Sequence, residues 1–276
     1  MLRKIFLSLF YFVFITIVNH SFVFAEKTFF ITAATSGIGE AVCKNLASKG
    51  YNLILTARNM EKLEKLKTNL ELNYTGQFKI LTFDYANLQS IDALASKVNE
   101  PIDGIVVIPP RMSLPSQIIP TSEQWGEAFA NCFIGPLQFI KVLTDKFNLN
   151  SSIVVISGIT SVYFMPEYTN SNVLRIMWTA EVKNLSIQLS SKKIRVNEIS
   201  PGVILTQHNI QKIKERAQKE NRSFENQLEL ESSTTPSHRY GQPEDLAHSI
   251  AFLLSNESSH INGTNLIIDG GLNRAY

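Results

Sequence analysis

A loop near the start of the chain has the composition of a phosphate-binding turn. It runs from Thr32 to Gly39 as Thr-Ala-Ala-Thr-Ser-Gly-Ile-Gly, after an apolar segment and before a helical one. Glycine lets a backbone approach a pyrophosphate closely, and free amides at a helix start favour its negative charge. An ordinary turn can also contain two glycines, but the strand before and the helix after favour a nucleotide site. The residues predicted to contact the nucleotide here are Thr32, Ser36, Gly37, Ile38 and Gly39.

The segments that must position this loop alternate between strand and helix from Lys27 onward. Continuous apolar runs such as 104–108 and 152–156 are typical of parallel strands that are covered on both faces. Strands are predicted at 29–32, 51–56, 78–83, 104–108, 152–156, 194–199 and 264–268, and helices at 38–49, 60–72, 87–99 and 171–190. This alternation predicts an α/β fold with a single Rossmann-type doubly wound parallel sheet and helices on both faces.

Four further motifs follow in the order of one enzyme family. They are Ile194-Arg195-Val196-Asn197, Pro201-Gly202 with Thr206, Gly241 to Ala247, and Asp269-Gly270-Gly271. With the glycine loop they resemble the short-chain dehydrogenase/reductase family, and the resemblance covers about residues 27–272. One departure is Ala33, where the family has glycine, because alanine is expected to form that turn only with a negative φ. The resemblance implies one dinucleotide-binding domain over residues 26–276.

The resemblance also indicates which cofactor is bound. Arg58-Asn59 follows the second strand, where an acid would bind the ribose hydroxyls of NAD and an arginine pairs with the 2′-phosphate of NADP. Asp84-Tyr85 resembles the pair that contacts adenine in the family. NADP(H) is therefore expected rather than NAD(H). The alternatives are a solvated surface role for Arg58 and a helix-capping role for Asp84.

The segment after the predicted strand 194–199 resembles the part of the family that holds the nicotinamide. It opens with Pro201 and Gly202, and the resemblance implies that the backbone of Ile204 and the hydroxyl of Thr206 hold the carboxamide. A polar helical insert follows at 207–238 and corresponds to the family's mobile lid over the substrate. A solvated amphipathic helix is the alternative for this insert.

The catalytic set of the family is altered in this chain. The family uses Asn, Ser, Tyr and Lys, the last two as Tyr-x-x-x-Lys, and the sequence lacks that motif. Counting back from Ile194 places Ser171 at the tyrosine position, Arg175 at the lysine position and Gly158 at the serine position. The helical asparagine falls at Cys132.

A displaced catalytic set is one interpretation. Tyr168 and Arg175 form Tyr-x6-Arg, and the related enoyl-acyl-carrier-protein reductases use Tyr-x6-Lys. Tyr168 would then be the acid, Arg175 would bind the cofactor ribose and favour a tyrosinate, and Ser157 would orient a carbonyl. This interpretation predicts NADP(H)-dependent reduction of a carbonyl or enoyl group in a small-molecule substrate. Packing of Tyr168 against Pro166 is the alternative.

A non-catalytic member of the family is the second interpretation. The hydroxyl of Ser171 is far less acidic than a phenol and reaches less far, so it cannot replace the tyrosine. Such a protein would act by binding a nucleotide or another protein. Retention of the glycine loop, Arg58 and Thr206 opposes this interpretation, since these residues have no obvious structural role. By resemblance, the helices that carry Trp125 and Trp178 would form a homodimer or homotetramer, although tryptophan is also common in cores.

Composition and charge exclude several other classes of protein. The 276 residues are 44% hydrophobic, which excludes a disordered chain, and their net charge is only +2, which offers no basic face to a nucleic acid. The two cysteines, Cys43 and Cys132, have no CxxC spacing, and with five scattered histidines they form no recognisable zinc site. No metal is therefore expected. The doubly wound layout also places the two cysteines on opposite faces of the sheet, which argues against a disulfide.

Residues 1–25 are predicted to be a signal peptide or a membrane anchor. Arg3 and Lys4 precede an apolar stretch from Ile5 to Val18, and the run ending at Ala25 resembles a cleavage site. The stretch is short for a spanning helix. Its positive start predicts a domain that is exported or anchored outside the cytosol, with no other membrane contact. A mis-assigned start codon, which would leave the protein in the cytoplasm, stays open.

Overall fold

A computed structural model of the chain describes residues 27–112 and 119–275. The segment predicted as a signal peptide or anchor, residues 1–25, lies outside these ranges. Within them, no helix combines the length and the apolar character that crossing a membrane requires.

The described residues form a seven-stranded parallel sheet. Its strands are β1 Thr28–Ile31, β2 Asn52–Thr56, β3 Phe78–Leu81, β4 Ile102–Val107, β5 Phe147–Ile156, β6 Arg195–Pro201 and β7 Asn265–Ile268. Their order is β3-β2-β1-β4-β5-β6-β7. The chain changes direction across the sheet between β1 and β4, and ligands bind at such a crevice outside the carboxyl ends of the strands. The predicted doubly wound parallel sheet is confirmed.

Helices cover both faces of the sheet. They are α1 Gly37–Ala47, α2 Met60–Asn73, α3 Leu88–Ala95, α4 Ser122–Phe129, α5 Gly135–Leu143, α6 Thr169–Gln188, α7 Gln207–Lys219, α8 Phe224–Ser232 and α9 Pro243–Leu254. A π-helical turn, Ala130–Ile134, joins α4 to α5. The insert predicted at 207–238 therefore contains two helices, α7 and α8, that are joined by a short turn.

Strand β5 begins earlier than the apolar run at 152–156 predicts. Phe147 already pairs with Ile102 of β4, although Leu149 is exposed. The pairing shifts register between Ile102 and Gly104 and then continues through the apolar run. Hydrogen bonding rather than burial therefore sets the start of this strand.

Two apolar layers attach the helices to the sheet, one on each face. The first layer packs α1, α2 and α9 and contains Cys43, whereas the second packs α3, α5 and α6 and contains Cys132. Both thiols are buried and unpaired, and the predicted separation of the two cysteines is confirmed. Trp178 is fully buried in the second layer, where its indole N–H donates to the Cys132 carbonyl at 2.8 Å. It is therefore a core residue, which was the alternative for this tryptophan.

Short polar side chains start the helices that face the carboxyl edge of the sheet. Ser36 caps α1, Asn59 caps α2 and Thr206 caps α7, each by accepting a hydrogen bond from the amide three residues later. Such caps satisfy amides that have no partner inside the helix. The amides left over in each first turn remain at the edge where a ligand would bind.

Candidate active site

The glycine loop turns sharply between β1 and α1. Ala33 has a φ of +48°, in the left-handed region, so the prediction of a negative φ is wrong. The turn imposes this angle, because the Ser36 amide donates to the Ala33 carbonyl at 2.8 Å and the Ala34 amide donates to the Thr56 carbonyl at 2.8 Å. A left-handed conformation costs an alanine about 1–2 kcal/mol. The loop therefore stores modest strain at a position where glycine would have none.

Gly37 and Gly39 have different structural roles. A Cβ atom on Gly39 would lie 2.2 Å from the Ala33 carbonyl oxygen, so glycine at 39 lets the loop pack tightly on its helix. A Cβ atom on Gly37 would instead lie 3.1 Å from Cγ2 of Thr206. Gly37 therefore lies where the N-termini of α1 and α7 meet.

The start of α1 is suited to hold a phosphate. The amides of Gly37 and Ile38 have no acceptor among the described residues, while the amide of Gly39 donates to Ser36 Oγ at 3.0 Å. Unpartnered amides at the positive end of a helix, beside a residue without a side chain, attract an anion such as a pyrophosphate. The residues present therefore fit a dinucleotide cofactor.

The side chains of Thr32 and Tyr85 are buried below the edge of the sheet. Thr32 is fully buried, and its hydroxyl donates to the Val106 carbonyl at 3.1 Å and accepts from the Ile108 amide at 2.7 Å. Tyr85 is buried edge-on against Phe139. Thr32 therefore joins the ends of β1 and β4, and Tyr85 packs in the core beneath the edge.

Three polar residues predicted to bind the cofactor follow β2 and β3. Arg58 is exposed and forms no ion pair with any described residue. The side chain of Asn59 is occupied in capping α2, because it accepts from the Lys62 amide at 2.9 Å. Asp84 is half-buried and accepts from the Ala86 amide at 3.1 Å. Of the three, Arg58 is the side chain that is free to meet a phosphate.

The segment after β6 approaches the same edge. Pro201 ends β6 inside the sheet, and Gly202 has no room for a side chain, because a Cβ atom there would lie 2.8 Å from Cα of Asp269. Ile204 is buried, and its carbonyl accepts from the side chain of Asn209 at 2.6 Å. Its amide has no acceptor among the described residues, so this amide is available to a ligand.

A cavity of about 750 Å³ adjoins this edge. Tyr168 and Arg175 both line it, so the structure brings the two main residues of the displaced set to one site. Arg175 is buried, and its side chain makes a single long hydrogen bond, from Nη1 to the Ile156 carbonyl at 3.4 Å. In the part of the chain that the structure describes, no cluster of His, Cys, Asp and Glu is arranged to hold a metal ion.

The positions counted from the family motif are neighbours in space. A Cβ atom on Gly158, the serine position, would lie 3.7 Å from Nε of Arg175. Ser171, the tyrosine position, shares a hydrogen bond of 2.9 Å with Thr160. Position 158 therefore offers no hydroxyl beside Arg175, and position 171 offers no phenol.

The loop before α6 is fixed so that Tyr168 enters the cavity. The side chain of Asn172 accepts from the Met165 amide at 3.2 Å and donates to the Met165 carbonyl at 2.7 Å. The Tyr168 amide donates to the same carbonyl at 2.9 Å, and the Tyr168 carbonyl accepts from the Asn172 amide at 2.8 Å. Asn172 therefore fixes the loop from which the phenol of Tyr168 enters the cavity.

Ser157 does not line the cavity. It is 6% exposed, and its hydroxyl lies beside the carboxyl of Glu198 inside the sheet. Glu198 is fully buried, and neither its carboxylate oxygens nor Ser157 Oγ reaches hydrogen-bond geometry with a described residue. Burial raises the pKa of Glu198. The structure thus places Ser157 behind the site, next to an acid that the sequence reasoning did not consider.

Helices α7 and α8 are joined by a bidentate ion pair above the cavity. Arg216 on α7 donates to Glu231 on α8 at 2.6 Å and 2.5 Å, and Tyr240 donates to the same carboxylate at 2.6 Å. The hydrogen bond from Arg216 is the main cause that lowers the pKa of Glu231 to about 2. The ion pair therefore ties α8 to α7, and α7 is the helix that lines the cavity.

Comparison with known proteins identifies the fold and the family. A family model described as "Enoyl-(Acyl carrier protein) reductase" matches residues 32–273. The chain is also 31% identical to 2,3-dihydro-2,3-dihydroxybenzoate dehydrogenase of Bacillus subtilis (strain 168), over 89% of this chain and 95% of that protein. The chain belongs to the short-chain dehydrogenase/reductase family. The family resemblance inferred from the motifs is confirmed.

Two solved structures of the short-chain dehydrogenase/reductase fold are similar to this one. L-sorbose reductase from Gluconobacter frateurii, complexed with NADPH and L-sorbose, has a TM-score of 0.86 at 23% identity, covering 91% of this chain and 98% of that chain. An NADPH-bound short chain oxidoreductase from Pseudomonas aeruginosa PAO1, containing an atypical catalytic center, has a TM-score of 0.81 at 20% identity, with the same coverage. At these identities the likeness establishes the fold.

Several residues of the site are absent from the sequence-based prediction. They are Arg111, Asn170 and Tyr240 in the cavity wall, and Glu198 behind it. Arg111 follows β4 at the carboxyl edge of the sheet, which is a signal that could have found it. Glu198 is a charged residue within an apolar strand, which is also visible in the sequence.

Proposed function

We propose that this short-chain dehydrogenase/reductase reduces a carbonyl or enoyl group with NADP(H), with Tyr168 as the proton donor and Arg175 as the residue that binds the cofactor ribose. The observation that carries the proposal is that both side chains line one cavity, beside the edge that holds the unpartnered amides. Further support is that structural neighbours bind NADPH, one of them with an atypical catalytic center.

The cofactor site of the proposal uses groups that have no partner among the described residues. When bound, the nicotinamide supplies a hydride. The amides of Gly37 and Ile38 bind the pyrophosphate, and the exposed Arg58 pairs with the 2′-phosphate. The Ile204 amide orients the carboxamide.

Proton delivery in this proposal depends on Tyr168 alone. Its phenol donates a proton to the substrate as the hydride arrives. Arg175 stays charged, so it binds the ribose and favours a tyrosinate but cannot pass on a proton. The proton that Tyr168 loses is therefore replaced from water that enters the cavity. This route for reprotonating Tyr168 differs from a proton relay through a lysine.

Calorimetric titration with NADPH and with NADH tests the cofactor. We expect tighter binding of NADPH, and we expect Arg58→Glu to weaken NADPH far more than NADH. Lys62→Gln, which removes a nearby exposed charge on α2, is the control and leaves both affinities unchanged. Equal affinities for the two nucleotides would contradict NADP(H) selection, and binding of neither would favour a non-catalytic protein.

Substitution of Tyr168 tests the chemistry. In a screen of carbonyl and enoyl compounds with NADPH, Tyr168→Phe should lower kcat by roughly 100-fold or more, because the general acid is lost. The affinity for NADPH should stay within about twofold. Unchanged turnover in this variant would remove Tyr168 from the mechanism.

We also propose a homodimer or homotetramer formed through α4 and α6. Phe129 at the end of α4, Ile134 at the end of the π-helical turn that follows it, and Val173 and Ile176 on α6 are exposed apolar side chains on adjacent elements. Covering them would remove this apolar surface from water. Light scattering after size exclusion should give a multiple of the chain mass, and Ile176→Glu should shift it to the monomer. A monomeric parent protein would contradict the proposal.

Export through residues 1–25 is proposed from the sequence. Fractionation of cells that express the full chain, with N-terminal sequencing of the product, should find the domain outside the cytosol. A soluble cytosolic protein that retains Met1 would contradict this proposal.

A further inference from the structure

The charges around the cavity are unbalanced. The positively charged side chains that line it are Arg111, Arg175, Lys212 and Arg216, with the titratable His208 beside them. No Asp or Glu among the described residues lines the cavity. An excess of one sign in a concave site raises the local concentration of ligands of the opposite sign.

Two of these positive charges are already paired. Arg216 is held by Glu231 at 2.5 Å, as described above, and Lys212 contacts Glu215 at 2.9 Å. Both acids lie outside the cavity wall. The charges of Arg216 and Lys212 are therefore largely balanced by Glu231 on α8 and Glu215 on α7.

Arg111 and Arg175 have no ion-pair partner among the described residues. Arg111 also makes no side-chain hydrogen bond within the same ranges, although Arg175 reaches the Ile156 carbonyl. Glu198 lies behind Arg175, but burial raises its pKa and favours its neutral form. Burial is the main cause that lowers the pKa of Arg175; nearby Cys132 and Glu198 raise it, and the charge of Arg111 lowers it. Arg111 and Arg175 therefore lie in one part of the cavity, where Arg111 has no ion-pair partner among the described residues.

His208 reports the same positive field. His208 is exposed at the mouth of the cavity; its slight burial and the charges of Arg111 and Lys212 lower its pKa, whereas the charge of Glu215 raises it. An anion bound between these groups would remove the repulsion and raise the pKa of His208 again. The pKa of His208 therefore shows whether an anion is bound in the cavity.

We propose that the substrate of this cavity is an organic anion whose carboxylate or phosphate group is bound by Arg111, with its reducible group beside Tyr168. The inference rests on the proposed function, because it names the substrate class of the same site. A guanidinium group offers two parallel hydrogen bonds to a carboxylate or phosphate. Arg175 is occupied by the cofactor ribose in this scheme, so Arg111 is the group left for the substrate.

Matched pairs of probes test the proposal without requiring turnover. The first pair is acetoacetate and its neutral methyl ester, and the second is dihydroxyacetone phosphate and dihydroxyacetone. Each is titrated into the protein, with and without saturating NADPH, while the NMR signal of the His208 imidazole is followed. We expect the charged member of at least one pair to bind at least about tenfold more tightly, and the pair that responds identifies carboxylate or phosphate.

Arg111→Gln separates a specific contact from a general field. It should weaken the charged probe by about 10- to 100-fold and change the neutral probe by less than about twofold. Lys219→Gln is the matched control, because Lys219 is an exposed cation on α7 that does not line the cavity. It should leave all affinities unchanged.

Three results would overturn the proposal: equal binding within both pairs, an equal loss for both members in Arg111→Gln, or no response to any of the four probes. Binding of an anion through Arg111 by a protein that reduces nothing would support the anion site while contradicting the proposed reduction. Reduction of a neutral probe with no preference for its charged partner would do the opposite.

Discussion

Thr206 lies against the backbone of Gly37, so that a Cβ atom at position 37 would be 3.1 Å from Cγ2 of Thr206. Gly37 begins the helix that offers free amides to a phosphate, and Thr206 caps the helix that covers the substrate cavity. The contact therefore joins the cofactor loop to the cover of the site. Any atom added to Gly37 therefore affects both the cofactor loop and the helix that covers the cavity.

Gly37→Ala should weaken NADPH binding by roughly tenfold or more, because the added methyl group displaces Thr206 and occupies the surface that the pyrophosphate approaches. Calorimetry measures the change in Kd. The control is Gly126→Ala, since a Cβ atom at Gly126 of α4 would meet nothing within 4 Å. This control should stabilise the protein by about 1 kcal/mol and leave Kd unchanged. Equal Kd values for the parent protein and Gly37→Ala would contradict the assignment of this surface.

Ala33→Gly should stabilise the protein. The substitution removes the strain of about 1–2 kcal/mol that an alanine has in the left-handed conformation. Part of this gain in stability is lost, because glycine has more conformational freedom in the unfolded chain. We expect a net increase of about 0.5–1 kcal/mol in the free energy of unfolding, measured by urea denaturation. Ala34→Gly, at a buried neighbour without a positive φ, should instead destabilise. Destabilisation by both would show that Ala33 is not strained.

Asn172→Ala should lower kcat by about tenfold while the affinity for NADPH stays within about twofold, because Asn172 fixes the loop that carries Tyr168 and does not touch the cofactor loop. Steady-state kinetics and calorimetry measure the two quantities on one preparation. Asn184→Ala, an exposed change on the same helix, is the control and should alter neither. Equal losses in turnover and nucleotide affinity would indicate general unfolding of α6 instead.

Glu231→Gln should remove a part of the pH dependence of stability. The folded pKa of Glu231 is lowered to about 2 by Arg216, so the ion pair contributes fully above the unfolded pKa of about 4.3 and is lost as pH falls towards 2. The parent protein should exceed this variant by about 1–3 kcal/mol at pH 7 and match it near pH 2. Urea denaturation across this range measures the difference.

Glu215→Gln is the control for that experiment, because its carboxylate is exposed to solvent beside Lys212 and its ion pair should contribute little to stability. A gap between the parent protein and Glu231→Gln that did not change with pH would contradict the linkage.

Glu198→Gln should have the opposite dependence on pH. Burial raises the folded pKa of Glu198 above its unfolded value, so the neutral carboxyl suits the fold and stability is lost as pH rises through the raised folded pKa. The glutamine variant stays neutral, so we expect it to match the parent protein near pH 4 and to be more stable at pH 8, by on the order of 1 kcal/mol. Lower stability of the variant at pH 8 would show that attraction to Arg175 outweighs burial.

Most of the fold could be predicted from the sequence because apolar runs and chain order determine a doubly wound sheet. The start of β5 could not, since Phe147 pairs with β4 outside the apolar run. The positive φ of Ala33 could not be predicted from the residue type either, because the hydrogen bonds donated by the Ser36 and Ala34 amides impose it.

The candidate site was predictable where motifs fix positions along one element. Tyr168 and Arg175 line one cavity because Tyr168 directly precedes α6 and Arg175 lies in the second turn of that helix. Ser157 was misplaced, because its depth depends on how far β5 extends into the sheet. Arg111 could have been considered because it follows β4 at the carboxyl edge, but its place in the wall of this cavity depends on how distant elements pack, which local spacing does not contain.

Cys43 and Cys132 are buried in different layers, the first on the side of α1 and the second on the side of α6. A thiol reagent in solution can modify each cysteine only during those moments when its own layer opens. The rates of alkylation at the two positions therefore measure, separately and without an engineered label, how often each of the two layers opens. A ligand that tightens one side should slow the labelling of that side's cysteine alone.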